Sequence, residues 1–224
     1  KENKYLDNLS FCNNVFTVLR GRAWQASYIT KALMSSEPFL YATYTSKEMC
    51  LRIAEALKTD AYDLIHIEPG YVWSALPKTD LPIVISEHNI EHEVYEKYVH
   101  SVSFSPIKPF LMNDVRKMQS KEKEIWNSAS TITAVSDDDA NHIKKISPNT
   151  PVFMVPNGVD TSFFSFKPKI AIQKTPVFLY VGTFTWMQNV DAASYILKNI
   201  WPEIRKQYPR ATLRIIGSNP PESI

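Results

Sequence analysis

The sequence has few cysteines, no long apolar run and almost no net charge. Only two of its 224 residues are cysteine, too few and too far apart for a disulfide scaffold or a metal cluster, so we expect two buried thiols in a reducing compartment. The absence of a run of about 18 apolar residues excludes a membrane-spanning helix. The 25 basic and 23 acidic side chains give a net charge of +2, which does not favour nucleic acid as a partner.

The remaining totals are those of an ordinary globular protein. Hydrophobic residues make up 44% and charged residues 21% of the chain, which provides ample material for a core. The polar start of the chain, residues 1–8, does not resemble a signal peptide, so we expect a cytoplasmic protein. The length corresponds to one complete domain plus part of a second.

Short apolar runs rich in β-branched residues alternate with helical stretches, a pattern typical of a parallel α/β sheet. The predicted strands are Leu64–Ile67, Pro82–Ser86, Thr131–Val135, Val152–Val155, Val177–Val181 and Thr212–Ile216. The fold class is therefore α/β, with Rossmann-like parallel sheets.

Three helices are predicted between these strands. Residues 46–58 follow a capping pattern of Thr45 and Glu48. Residues 110–129 are amphipathic, and their basic face could either contact anionic lipid or lie in solvent. The third helix covers residues 137–146 behind a Ser136 cap, so the three acids that open it are interpreted as a first helical turn rather than a metal site.

A polar stretch with a proline near each end, residues 167–176, is typical of a linker. We place a domain boundary there, with one domain over residues 1–166 and the linker and start of a second over residues 167–224. Residues 190–204 then carry apolar side chains at helical spacing.

The residues that follow each strand are the candidates for a site, because ligands bind beyond the carboxyl ends of parallel strands. They are Glu68, Gly70, Glu87, His88, Asn89, Ser136, Asn157, Gly158, Gly182, Thr183 and Gly217. For any one of them taken alone, the role of a turn former is the favoured interpretation.

Two of these strand ends carry a more specific pattern. Gly182 precedes a loop in which Asn189 opens a helix, an arrangement that could hold a diphosphate, although the stretch has neither a G-x-G-x-x-G pattern nor a Walker lysine. His88 and His92 have the spacing of a metal pair on a helix, but a third ligand is missing. A hydrogen-bonding or proton-handling role for His88 is therefore favoured over a metal, and a purely structural hydrogen bond is the other alternative.

The chain resembles the family-4-like glycosyltransferases of GT-B type in an ordered set of segments. These are Ile85–Glu91 (ISEHNIE), Thr131–Asp137 (TITAVSD), Val155–Asp160 (VPNGVD), Tyr180–Ala193 and Leu213–Pro221 (LRIIGSNPP). The string Pro-Asn-Gly-Val-Asp is the most specific of them. The resemblance covers residues 60–221 and is loose before that.

The resemblance implies retaining transfer of a sugar from a nucleoside diphosphate sugar to a carbohydrate or lipid-linked acceptor hydroxyl, in polysaccharide or glycoconjugate biosynthesis. It implies no cofactor and no metal, with possible peripheral membrane contact. His88 and Glu91 would be catalytic. The acceptor-side residues would be Glu68, Gly70, Asn89, Ser136, Asn157 and Gly158, and the donor-side residues would be Gly182, Thr183, Asn189 and Gly217.

The chain departs from the family pattern in two respects. No basic residue occurs in residues 183–190, where relatives carry cations. The first strand and the paired glutamates of the second domain are absent as well, so we expect this chain alone to be inactive. The alternative reading is a non-catalytic α/β binding or interaction module, with a sugar epimerase as a third possibility. A second, separate sheet over residues 177–216 would favour GT-B.

Overall fold

The computed structural model describes residues 9–21, 25–59, 61–101, 106–166, 175–222 and 224. Contacts divide the chain into two compact units, Lys1–Gly158 and Val159–Ile224, and each is described by itself. Most of the predicted linker, residues 167–174, lies outside the described residues. The domain boundary near residue 166 stays a prediction.

The first unit is built on a four-stranded parallel sheet in the order β1-β2-β3-β4. Its strands are β1 (Ile65–Ile67), β2 (Ile83–Glu87), β3 (Thr131–Ala134) and β4 (Val152–Met154). The ends of these four strands differ from the predicted ends by at most one residue. The prediction of a parallel α/β sheet is confirmed.

Six α-helices of the first unit fall within the described residues, together with a 3-10 helix, Gly70–Ala75, that follows β1. They are α1 (Ala26–Met34), α2 (Phe39–Tyr44), α3 (Lys47–Thr59), α4 (Glu91–Ser101), α5 (Lys108–Ser128) and α6 (Asp137–Ile146). Helices α3, α5 and α6 are the three that the sequence predicts. The cap of α3 was assigned wrongly: Ser46 Oγ accepts the Met49 N–H, whereas the Thr45 hydroxyl donates to the Tyr41 carbonyl.

One face of this sheet forms the core of the unit. Ile67 pairs with Ile85, and Ile85 pairs with Ile132, so their side chains share a face. All three are buried against Ile125 and Trp126 of α5. Burial of each such side chain contributes about 1.5–3 kcal/mol, so the amphipathic face of α5 is what anchors it to the sheet.

The prediction of two buried thiols is wrong. Cys12 is exposed and Cys50 is half-buried, and both are free. The reason is local: Cys12 precedes the first described helix, and Cys50 lies on α3, which has no fully buried residue.

The second unit contains a separate two-stranded parallel sheet, β5 (Val177–Val181) and β6 (Thr212–Ile216). Both strands lie where the sequence predicts them. Between them run α7 (Met187–Tyr195), a π-helical turn (Ile196–Ile200) and α8 (Trp201–Gln207). The predicted single helical pattern is thus one continuous run with a π-helical turn inside it, and Pro202, which has no N–H to donate, lies just after that turn.

The two faces of the second sheet differ in cover. Phe178 packs edge-on against Trp201, with ring centroids 6.0 Å apart. On the opposite face Val177, Leu179 and Val181 are 54%, 60% and 67% exposed. This apolar face therefore has no packing partner among the described residues of the unit.

No helix in the described part of the chain is both long and apolar enough to cross a membrane.

Candidate functional site

Glu68 and His88 meet at the carboxyl ends of neighbouring strands. Glu68 directly follows β1 and His88 directly follows β2, and His88 Nε2 lies 2.7 Å from Glu68 Oε1. The side chains are 45% and 53% exposed for His88 and Glu68, so solvent screens the pair and it adds little stability. Two predicted site residues are thus brought together where a ligand could reach both.

Asn89 and Glu91 continue this edge of the sheet. Burial raises the pKa of Glu91, and the charge of Glu122 adds to the rise, whereas a hydrogen bond with Asn89 and the nearby His88 oppose it. Glu91 is also the first residue of α4. The loop from His88 to Glu91 therefore presents an imidazole, an amide and a carboxyl group in succession.

A buried glutamate, Glu122 of α5, supports the start of α4. Glu122 is 1% exposed, and its carboxylate accepts the N–H groups of Glu91 at 2.8 Å and His92 at 3.4 Å. It also contacts His92 Nδ1. A carboxylate from another helix thus satisfies the amides that a local cap would otherwise bind. The sequence analysis did not identify this role of Glu122. The available sign was its position in the apolar stripe of α5, because a charged residue there needs a buried partner.

Glu87 and Gly70 lie beneath this edge. Glu87 points into the core and accepts the Trp126 Nε1–H at 2.9 Å. Burial raises its pKa to about 8, against the lowering effect of that hydrogen bond. Gly70 is buried beside it, and a Cβ there would lie 2.5 Å from Glu87 Oε1 and 2.9 Å from Ile125 Cδ1. Position 70 therefore has no room for a side chain, which explains the glycine.

The other predicted acceptor-side residues follow β3 and β4. Ser136 caps α6 as predicted: its hydroxyl accepts the Asp139 N–H at 3.1 Å and donates to Asp139 Oδ2 at 2.7 Å. Asn157 and Gly158 are exposed, and the space around Gly158 is open. Ser136 is thus occupied by its own helix, whereas the other two face solvent.

The donor-side residues of the second unit form a compact group at the ends of β5 and β6. Asn189 Nδ2 donates to the Thr183 carbonyl at 2.8 Å, which fixes the loop after β5. The Thr183 and Ser218 hydroxyls are 2.5 Å apart. A Cβ on Gly217 would lie 1.7 Å from the Gly182 carbonyl oxygen, so the two strand ends meet only because Gly217 has no side chain.

Helix α7 begins next to this group. Its N-cap, Trp186, makes no side-chain capping bond, so the first amides are not satisfied by a local side chain. A helix N-terminus of this kind attracts an anion. Residues 183–190 contain no lysine or arginine, and the backbone is therefore what could hold a phosphate there.

The structure does not pair His88 with His92. His88 contacts Glu68, and His92 contacts Glu122 of α5. One ring nitrogen of each histidine thus contacts a different carboxylate.

A parallel sheet linked by helices, with polar side chains at its carboxyl edge, defines a Rossmann-like α/β domain. A family model described as Glycosyltransferase Family 4 matches residues 19–163, more than half of the chain. The chain belongs to Glycosyltransferase Family 4. No match to an individual curated protein was found.

Membership confirms the resemblance seen in the sequence and assigns a glycosyltransferase-type enzyme that acts on sugar-related substrates. The finding favours this class over a non-catalytic module. The matched range contains His88, Glu91 and Ser136, whereas the group around Gly182 lies beyond it.

Proposed function

We propose that this chain contributes to retaining transfer of a sugar from a nucleoside diphosphate sugar to an acceptor hydroxyl. The observation that carries the proposal is the Glu68–His88 pair at the carboxyl ends of β1 and β2, which continues into Asn89 and Glu91. Membership of a glycosyltransferase family supplies the reaction class.

In the proposed reaction the bond between the sugar and the diphosphate breaks while the acceptor oxygen bonds to the same sugar carbon. The acceptor proton leaves with the diphosphate. Glu68 engages Nε2 of His88, which orients the ring and leaves Nδ1 to hydrogen-bond the acceptor or the transferred sugar. Glu91 supports the loop that carries His88, and Asn89 is placed to bind a sugar hydroxyl.

The donor would bind to the second unit. The amides at the start of α7, which no side chain caps, and the paired hydroxyls of Thr183 and Ser218 provide neutral donors for a diphosphate. Preorganised donors of this kind stabilise charge that develops on a leaving group. We propose that no divalent ion and no cofactor takes part in this step.

In this proposal the second unit belongs to the nucleotide-sugar-binding side of the enzyme. Its exposed apolar face, Val177, Leu179 and Val181, has the character of a sheet that packs against further elements, because parallel sheets are covered on both faces. The described residues thus supply only one side of a donor pocket, and the chain alone does not turn over.

The acceptor is a carbohydrate or a lipid-linked sugar, and the protein acts in the cytoplasm, with peripheral contact to a membrane surface. The basic side chains of α5 are the proposed contact. Lys117 is excluded from it, because its Nζ donates to the Ala32 and Ser35 carbonyls at 2.5 and 2.7 Å. Arg116 and Lys123 remain exposed.

Two assays test the proposal. This chain, mixed with a panel of nucleotide sugars and acceptors, should give no transfer, and measurable transfer would disprove the claim that the described residues supply only one side of a donor pocket. In a polypeptide that also carries a full donor domain, His88→Ala should lower kcat by about 100-fold or more.

The matched control is His100→Ala, since His100 lies on the exposed end of α4 with a side chain 63% exposed. The control should keep kcat within about twofold, as expected for a surface substitution. Equal activities of the two variants would remove His88 from the reaction.

A further inference from the structure

Side chains from three helices meet in a cluster beside the start of α4. His92 and Glu93 belong to α4, His142 belongs to α6, and Glu122 belongs to α5. His142 Nδ1 lies 3.2 Å from Glu93 Oε1. The rings of His92 and His142 have their centroids 6.2 Å apart. We call His92, Glu93 and His142 the α4–α6 cluster.

The geometry of the α4–α6 cluster is close to that of a three-ligand metal site. One ligand atom from each residue lies within 4.8 Å of the other two. Around a tetrahedral zinc ion with bonds of about 2.0–2.1 Å, ligand atoms are about 3.4 Å apart. The widest separation must therefore shorten by at most about 1.4 Å, the difference between 4.8 and 3.4 Å. Side-chain rotation can provide this, since His142 and Glu93 are 37% and 35% exposed.

Glu122 acts on the buried member of the cluster. His92 is 4% exposed, and its Nδ1 contacts the Glu122 carboxylate. The same carboxylate is held by two backbone N–H groups of α4. An imidazole whose one nitrogen donates to a fixed carboxylate presents its other nitrogen as a ligand, an arrangement that recurs around protein-bound metals. Here that nitrogen is Nε2.

We propose that the α4–α6 cluster binds a divalent transition-metal ion, with zinc as the best match. Two imidazoles and one carboxylate are a zinc ligand set that leaves a fourth position for water, and imidazole ligands disfavour magnesium and calcium. Charge agrees with the assignment, because Glu93 supplies a carboxylate within the cluster and Glu122 a second one behind it.

The ion would join two helices that begin at the edge of the candidate site. Helix α4 starts directly after the loop of His88 and Asn89, and α6 starts after the Ser136 cap. Tying α4 to α6 would limit movement of that loop relative to β3. This effect on the loop does not depend on the proposed sugar transfer.

Metal binding to the purified chain tests the proposal directly. After treatment with EDTA and removal of the chelator, titration with ZnCl2 should show one equivalent bound by calorimetry and a rise in Tm. Titration with CoCl2 should give the visible absorption of a tetrahedral ion. No saturable binding of either ion would overturn the proposal.

Substitutions locate the site. His142→Ala and Glu93→Gln change half-exposed side chains and should preserve the fold, as circular dichroism would verify, while weakening zinc binding by at least about tenfold. Glu122→Gln should weaken it by about 10- to 100-fold. His100→Ala, outside the cluster on the same helix, should bind as the wild type does. Equal affinity of the wild type and His142→Ala would place the ion elsewhere and refute the assignment.

Discussion

Replacing Glu87 with glutamine should remove a pH dependence from the stability of the first unit. Glu87 is 3% exposed, and burial raises its pKa from an ordinary 4.5 to about 8. Between these pH values the folded chain keeps a proton that the unfolded chain has released. The unfolded state binds fewer protons, so the free energy of unfolding falls as pH rises through this window.

The magnitude follows from the width of that window. Within the window, each pH unit lowers the free energy of unfolding by about 1.4 kcal/mol. The stability that Glu87 contributes is therefore complete below pH 4.5 and declines by roughly 5 kcal/mol as pH approaches 8. Glutamine has the shape of the protonated acid and can still accept the Trp126 Nε1–H. The variant should therefore lack this decline and exceed the wild type in stability above pH 8, while the raised pKa of Glu91 leaves a fall with pH that both proteins share.

Urea unfolding between pH 5 and 9, followed by far-ultraviolet circular dichroism, measures the effect. The control is Glu124→Gln, since Glu124 lies on the exposed side of α5 with a side chain 59% exposed. Its free energy of unfolding, plotted against pH, should run parallel to that of the wild type. If Glu87→Gln also ran parallel to the wild type, the carboxyl group would not be held protonated, and the argument from burial would be wrong.

Three further substitutions test individual contacts. Glu122→Ala would leave two amides and His92 without their partner, and should lower the free energy of unfolding by about 3–5 kcal/mol; a loss below 1 kcal/mol in urea titration would contradict the role given to this carboxylate. Gly217→Ala should destabilise the second unit by at least about 2 kcal/mol, because its Cβ would overlap the Gly182 carbonyl oxygen, and faster limited proteolysis there is the expected readout. Ser136→Ala removes the cap of α6 and should cost about 1 kcal/mol, measured as a Tm shift, with unchanged Tm as the contrary result.

Local pattern was enough to predict the strands and three helices of this chain. β-branched apolar runs have a period and a length that do not depend on the rest of the chain, and the Ser136 cap acts on an amide only three residues away. Helix α4 was not predicted, because it lacks such a local pattern. Its sequence carries few apolar residues, and the amides of its first turn are bound by Glu122 of α5 rather than by a local cap.

The sequence by itself thus determined the strand positions, the parallel α/β class and the polar character of the strand ends, including His88 and Glu68. Only the tertiary structure decided which of these side chains meet. The Glu122 carboxylate reaches His92 across 30 residues, and Glu87 reaches Trp126 across 39. Such contacts depend on strand register and helix packing, which bring together residues that no short sequence pattern relates.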